Sequence, residues 1–91
     1  MKYYQWDDEK NRILKHDRGV CFEDVVLSLN SNNLLDIVPH PNLDKYPTQR
    51  LFILSINGYT YYVPFVEDDE KIFLKSIIPS RKYHKTYKDK L

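Results

Sequence analysis

"RLFILSINGYTYYVPFV", residues 50–66, is the stretch that decides how this chain folds. Two runs rich in β-branched and aromatic residues flank Asn57-Gly58, a dipeptide suited to the two-residue turn that matches the natural twist of paired strands. The stretch predicts an antiparallel hairpin. On its C-terminal side "EDDE" (67–70) turns the chain into "KIFLKSII" (71–78), a further strand that Pro79 ends. Ser80 then suits the N-cap of a short basic helix over "RKYHKTYKDK" (81–90).

On the N-terminal side of the hairpin lies the polar, proline-bounded loop "PHPNLDKYPTQ" (39–49), and before it "LLDIV" (34–38), a short strand. In "CFEDVVLSLN" (21–30), Phe22, Val25, Val26 and Leu29 fall at i, i+3, i+4 and i+7, one face of a helix that "NSNN" closes. "YYQW" (3–6) predicts a first strand. Asp7 follows as a helix N-cap, with Asp8 and Glu9 at the positive end of the helix dipole. This helix is expected to run to about His16, with Ile13 and Leu14 inward, and "HDRG" ends it through the permissive Gly19. The order β-α-α-β-β-β-β-α describes an α+β domain, with two N-terminal helices packed on a four-stranded antiparallel sheet and a short C-terminal helix.

The 91 residues fit one domain, residues 1–91, because two cores would leave each too small to bury enough apolar surface. With 42% hydrophobic and 14% aromatic residues and only two glycines, the chain is expected to be globular. A single cysteine, Cys21, excludes an internal disulfide and points to a reducing compartment, with cytoplasm as the expected location. "MKYYQWDDEK" has no apolar signal core, and "LFILSI" is far too short to span a bilayer, so no membrane anchor is expected. The net charge of +1 conceals a polarised chain. Residues 1–70 hold seven basic and twelve acidic side chains, a balance of −5, and residues 71–91 seven basic and one acidic, a balance of +6. A concentrated basic end suits a polyanion or an acidic partner, and a solvated terminus is the plain alternative.

Metal chemistry lacks a ligand pattern: His16, His40 and His84 are scattered and Cys21 is alone, so neither metal nor cofactor is expected. There is no glycine-rich phosphate loop and no nucleophile elbow. "DDE" (7–9) reads as helix capping and "EDDE" as a solvated turn. What remains is a set of basic and aromatic residues in two segments. Single-stranded RNA needs cations for its phosphates and flat groups for its bases. Metal-free cleavage by the neighbouring 2′-OH further needs a proton acceptor, a proton donor and a positive group at the phosphate. His40, Lys45, Tyr46, Arg50, Arg81, Lys82, Tyr83 and His84 supply those types, with Lys85 a further cation on the last helix. Structural roles are open to several of them: Arg50 as a strand-edge charge, and Tyr83 with Tyr87, at i and i+4, as rings that dock the last helix.

These segments carry a resemblance. "YQWDDEKNRILKHDRGVCFEDVV" resembles the opening of BrnT-type toxins, "KIFLKSIIPSRKYHKTY" resembles their close, and "DIVPHPNLDKYPTQRLFILSINGYTYYVPFV" is similar to a subgroup with a His-Pro-Asn, Tyr-Pro-x-Gln pattern before the hairpin. The likeness spans nearly the whole chain. It implies a type II toxin–antitoxin toxin of RelE-like fold, a bacterial mRNA interferase that inhibits translation and growth. Its expected partner is a cognate antitoxin with a ribbon-helix-helix DNA-binding part, through which alone operator DNA is met. The RNA substrate is met free or on the ribosome.

The resemblance carries the arginine after the last strand onto Arg81 and a basic position opening the central strand onto Arg50. Arg81 and Arg50 are expected at the scissile phosphate, His40 as general acid or base, and Tyr83 or His84 stacking on or protonating the substrate. Lys45, Tyr46, Lys82 and Lys85 are expected RNA contacts. "LKHDRG" departs from the family's usual Lys-His-Gly by Asp17-Arg18, so Lys15 and His16 are expected to contact RNA or antitoxin rather than transfer protons. A non-catalytic RNA- or protein-binding module is the alternative reading of the same basic end.

Overall fold

A computed structural model describes residues 2–87, in the order β1 (Tyr3–Gln5), α1 (Asp8–Arg18), α2 (Phe22–Asn30), β2 (Leu34–Pro39), β3 (Arg50–Ile56), β4 (Tyr59–Glu67), β5 (Lys71–Leu74), β6 (Ile78–Pro79) and α3 (Arg81–Tyr87). The hairpin forms as its sequence predicts. Asn57 and Gly58 have φ of 53° and 79°, the two left-handed residues of a type I′ turn, and β3 pairs with β4 from Arg50↔Phe65 to Ile56↔Tyr59.

The α+β class holds, but the sheet is mixed and six-stranded rather than antiparallel and four-stranded. Its path is β1-β5-β4-β3-β2, with β6 also on β4. Two features make the difference. The chain leaves β1 through α1 and α2 and returns so that β1 lies parallel to β5, Tyr3 opposite Lys71. The expected strand 71–78 is divided because its neighbour carries Pro64, which accepts from Lys75 N–H at 2.8 Å but has no N–H to return. Thus β5 pairs with Phe65–Glu67, and β6 with Tyr61 and Tyr62.

Both long helices start and stop for reasons visible in their residues. The Asp7 carboxylate accepts Lys10 N–H at 3.0 Å, and Gly19, at φ 70°, ends α1 two residues later than the expected His16 boundary. Leu14 is buried, whereas Ile13, expected inward, is 49% exposed: adjacent helical residues point about 100° apart, and only one reaches the core. Asn11 joins the helices, donating to Glu23 Oε1 at 2.7 Å and accepting Phe22 N–H at 2.7 Å. The predicted α2 face holds, with Phe22 and Val25 buried and Val26 and Leu29 packed against the same cluster.

Residues opposite one another on paired strands share a face. Phe52, Leu54 and Ile56 of β3 and Val63 and Phe65 of β4 face α1 and α2, forming the main apolar cluster with Leu14, Val20, Phe22 and Val25. Leu51 and Ile53, fully buried, alternate with them and face the opposite side, where α3 lies. No helix among the described residues is long and apolar enough to cross a membrane.

Candidate functional site

Ser80 joins β6 to α3. Its N–H donates to Thr60 O at 3.1 Å, continuing the ladder; its Oγ accepts Tyr83 N–H at 3.2 Å and its carbonyl accepts His84 N–H at 3.0 Å, starting the helix. A buried serine that belongs to both elements fixes where α3 leaves the sheet. Arg81 is the next residue and is exposed, with Lys82 and Lys85 also exposed along α3. The part of the expected helix over residues 88–90 lies outside the described residues.

The aromatic residues of α3 settle onto β4 and β2. His84 stacks on Tyr59 with centroids 4.4 Å apart and an interplanar angle of 21°, and its Nδ1 lies 3.1 Å from Thr60 Oγ1. Nε2 is the ring nitrogen outside that bond. Tyr83 meets Tyr62 edge-on at 6.0 Å, Lys82 Nζ lies 5.7 Å from the Tyr83 ring centroid, and Tyr87 donates to Asp36 Oδ2 at 2.7 Å. Asp36 reaches this face because β2 carries a bulge between Leu34 and Asp36, which sets Asp36 opposite Ile53. Donation to the Asp36 carboxylate pushes the Tyr87 phenol above its ordinary range.

A second group forms in the loop 40–49. His40 N–H donates to Gln49 O at 3.2 Å and closes the loop, and the His40 and Tyr46 rings lie 4.4 Å apart. Lys45 Nζ sits 5.3 Å from the Tyr46 centroid, so three expected substrate-facing residues do come together. Asn42 N–H donates to His40 Nδ1 at 3.0 Å. The Nδ1 lone pair is thereby occupied, so the neutral ring carries its proton on Nε2 as a hydrogen-bond donor and has no free nitrogen to act as general base.

Arg50 belongs to neither group. It is opposite Phe65, so it points to the face of the long helices, with its guanidinium 5.1 Å from the Phe65 ring centroid and ion-paired to Glu67. Lys2 Nζ reaches the same carboxylate at 2.7 Å, and its donation is the main cause holding Glu67 below the ordinary carboxylate range. From Thr60, the His84 partner, to Phe65, the Arg50 partner, is five residues along β4, about 17 Å at strand rise. Arg50 and Arg81 thus do not face a common point.

No family model, curated protein or solved structure matches this chain. Its chemistry has to be read from its own geometry.

Lys15 and His16 stand apart on α1. Lys15 shares a shallow hollow with Asn11, Arg12, Cys21 and Glu23; His16 is 90% exposed at its side chain, its Nδ1 3.0 Å from Asp17 Oδ1. Burial pushes the Cys21 thiol above its ordinary value, the reverse of what a reactive thiolate requires. No group of three or more His, Cys, Asp or Glu side chains able to hold a metal occurs among the described residues.

Sequence reasoning missed Tyr59, Thr60 and Asp36 as the supports of α3. The first two follow directly after the Asn57-Gly58 turn, and their alternation was visible, but the helix that would cover them was not. Asp36 had no signal, because a bulge in β2 decides its face.

Proposed function

We propose that this protein is a type II toxin–antitoxin toxin, a metal-independent endoribonuclease that inhibits translation and growth and is neutralised by a cognate antitoxin. The observation that carries the reading is α3 on β4: exposed Arg81, Lys82 and Lys85 beside the ring groups Tyr59–His84 and Tyr62–Tyr83. Cations for phosphate next to flat surfaces for bases are what single-stranded RNA requires. The toxin reading is also the one expected from the sequence segments that resemble BrnT-type toxins.

In this mechanism Arg81 neutralises the scissile phosphate, a task suited to a two-pronged guanidinium on a rigid strand end. The 2′-oxygen attacks phosphorus as its proton passes to His84 Nε2, the P–O5′ bond breaks, and the departing 5′-oxygen takes up a proton from solvent water, leaving a 2′,3′-cyclic phosphate. Tyr83, Tyr46, Lys45, Lys82 and Lys85 hold the strand. His40 serves as a hydrogen-bond donor to the strand through Nε2–H, with no proton transferred. Arg50 lies on the other face of the sheet and is left out of the chemistry.

The separation of Arg50 from α3, and of the His40 loop from His84, favours a second reading, a non-catalytic RNA-binding module using the same helix. Brief induction in bacteria, with RNA 5′-end mapping, separates the two. Wild type is expected to arrest growth and create new RNA ends, and Arg81→Ala at equal soluble level to do neither. New ends without any loss in the variant remove Arg81 from the site; salt-sensitive RNA binding with intact RNA selects the module.

A further inference from the structure

The face of the sheet that carries α1 and α2 is not covered from end to end. At the Arg50 end an apolar trough of about 330 Å³ remains open. Tyr4 and Ile72 line one end, Phe65 and Phe52 form the floor, and Leu34 and Ile37 line the other end. These residues come from β1, β5, β4, β3 and β2 in turn, so the trough runs across every strand of the main path. Leu29 of α2 forms one wall and the Arg50–Glu67 pair the opposite rim.

We propose that this trough seats an amphipathic helix of a partner protein, with a carboxylate of that helix meeting Arg50. Length and direction support a helix. Five strands span four strand spacings, about 19 Å, the length of about thirteen helical residues and room for apolar side chains at i, i+4, i+7 and i+11. A strand added at the β1 or β2 edge would lie at the end of the trough, along the wrong axis to fill it. Ile37, a branched apolar side chain, is 43% exposed there.

Charge supports the carboxylate. Of the two cations that reach Glu67, Arg50 lines the trough itself, whereas Lys2 also lies in the field of Asp68. Glu67 takes one edge of the guanidinium, and its remaining N–H groups meet no acceptor among the described residues, which leaves a fork for a second carboxylate. Under the toxin reading this helix belongs to the antitoxin, but the surface stands on the trough alone and its test involves no RNA.

The probe is a displayed library of fourteen-residue helical peptides with randomised apolar positions and one Glu, selected against the full chain. Selected peptides are expected to shift the methyl signals of Ile37 and Ile72 in unmodified protein. Binding is expected to fall about tenfold or more in Ile37→Glu and in Arg50→Glu, and to return in Arg50→Glu when the peptide Glu becomes Lys. The methyl readout needs no variant, so misfolding of either substitution leaves the test intact. Peptides that leave those methyls unmoved, or whose binding is lost in Tyr83→Ala and kept in Ile37→Glu, overturn the proposal. So does a library with no binder. A dimer in sedimentation that Ile37→Glu dissociates assigns the trough to a second copy of this chain instead.

Discussion

The two faces of the sheet are held by different physics. Against α1 and α2, contact is made by close-packed aliphatic and aromatic groups, Phe22, Val25, Leu54, Val63 and Phe65 among them, with Phe52 stacked on Phe65 at 3.8 Å. Against α3, contact is made by ring edges, hydroxyls and one cap: Tyr83 on Tyr62, His84 on Thr60, Tyr87 on Asp36. The first kind of contact buries area and stabilises the fold. The second, on the side that the fully buried Leu51 and Ile53 also face, adds directional ring and hydroxyl contacts that fix the orientation of α3.

The largest test of this contrast is a pair of truncations. Phe22→Ala, at a fully buried ring stacked on Trp6, is expected to lower unfolding free energy by about 3–5 kcal/mol. Tyr83→Ala is expected to cost about 1 kcal/mol, the scale of one aromatic pair. Equal shifts in denaturant midpoint would break the comparison and make α3 part of the core. Two serines sharpen it at the next level. Ser28 Oγ, buried, donates to Ser55 O at 2.6 Å, and Ser28→Ala is expected to lower global stability by about 1–2 kcal/mol. Ser80→Ala removes the cap of α3, about 1 kcal/mol, and its loss is expected as faster amide exchange in α3 with the exchange of β3 little changed.

Tyr87→Phe is smaller still, below about 1 kcal/mol, since the bond to Asp36 lies at the surface. It has a pH signature. The phenol is held above its ordinary value of about 10 in the folded chain, so its contribution is present below pH 10 and lost as pH rises through the folded value. Ultraviolet titration of tyrosine should show one late-ionising phenol that Tyr87→Phe removes. On the other face the sign is opposite. Glu67 is held below its ordinary value of about 4.5 by Lys2 first and Arg50 after it, so its contribution is present above pH 4.5 and lost as pH falls through the lowered value. Glu67→Gln is therefore expected to flatten the acid limb of the stability curve, a shift read as a smaller fall in melting temperature between pH 5 and pH 3.

The hairpin, both long helices, the Asp7 and Ser80 caps and the Gly19 stop were legible because each rests on a local rule written within a few residues. The parallel pairing of β1 was not, since neighbours in sequence say nothing about which edge a first strand will choose. The break at residues 75–77 is explained by Pro64, a residue of the facing strand and so invisible from "KIFLKSII" itself. The same limit applies to the site. The place of Arg81 just past the last strand, and the docking of Tyr83 and Tyr87 at i and i+4, can be read locally, whereas the face taken by Arg50 depends on the register that sets it opposite Phe65.

The pairing of Tyr3 with Lys71 also orders events in time. A chain emerging from the ribosome can form α1, α2 and the 50–66 hairpin while β1 still has no strand to lie beside. Only when residue 74 is free can β5 add to β4 and offer the edge on which β1 closes. Residues 3–5 are then placed only after residues 71–73, a long-range closure of the kind that slows folding, and α3, which follows β6, is completed only after that edge exists.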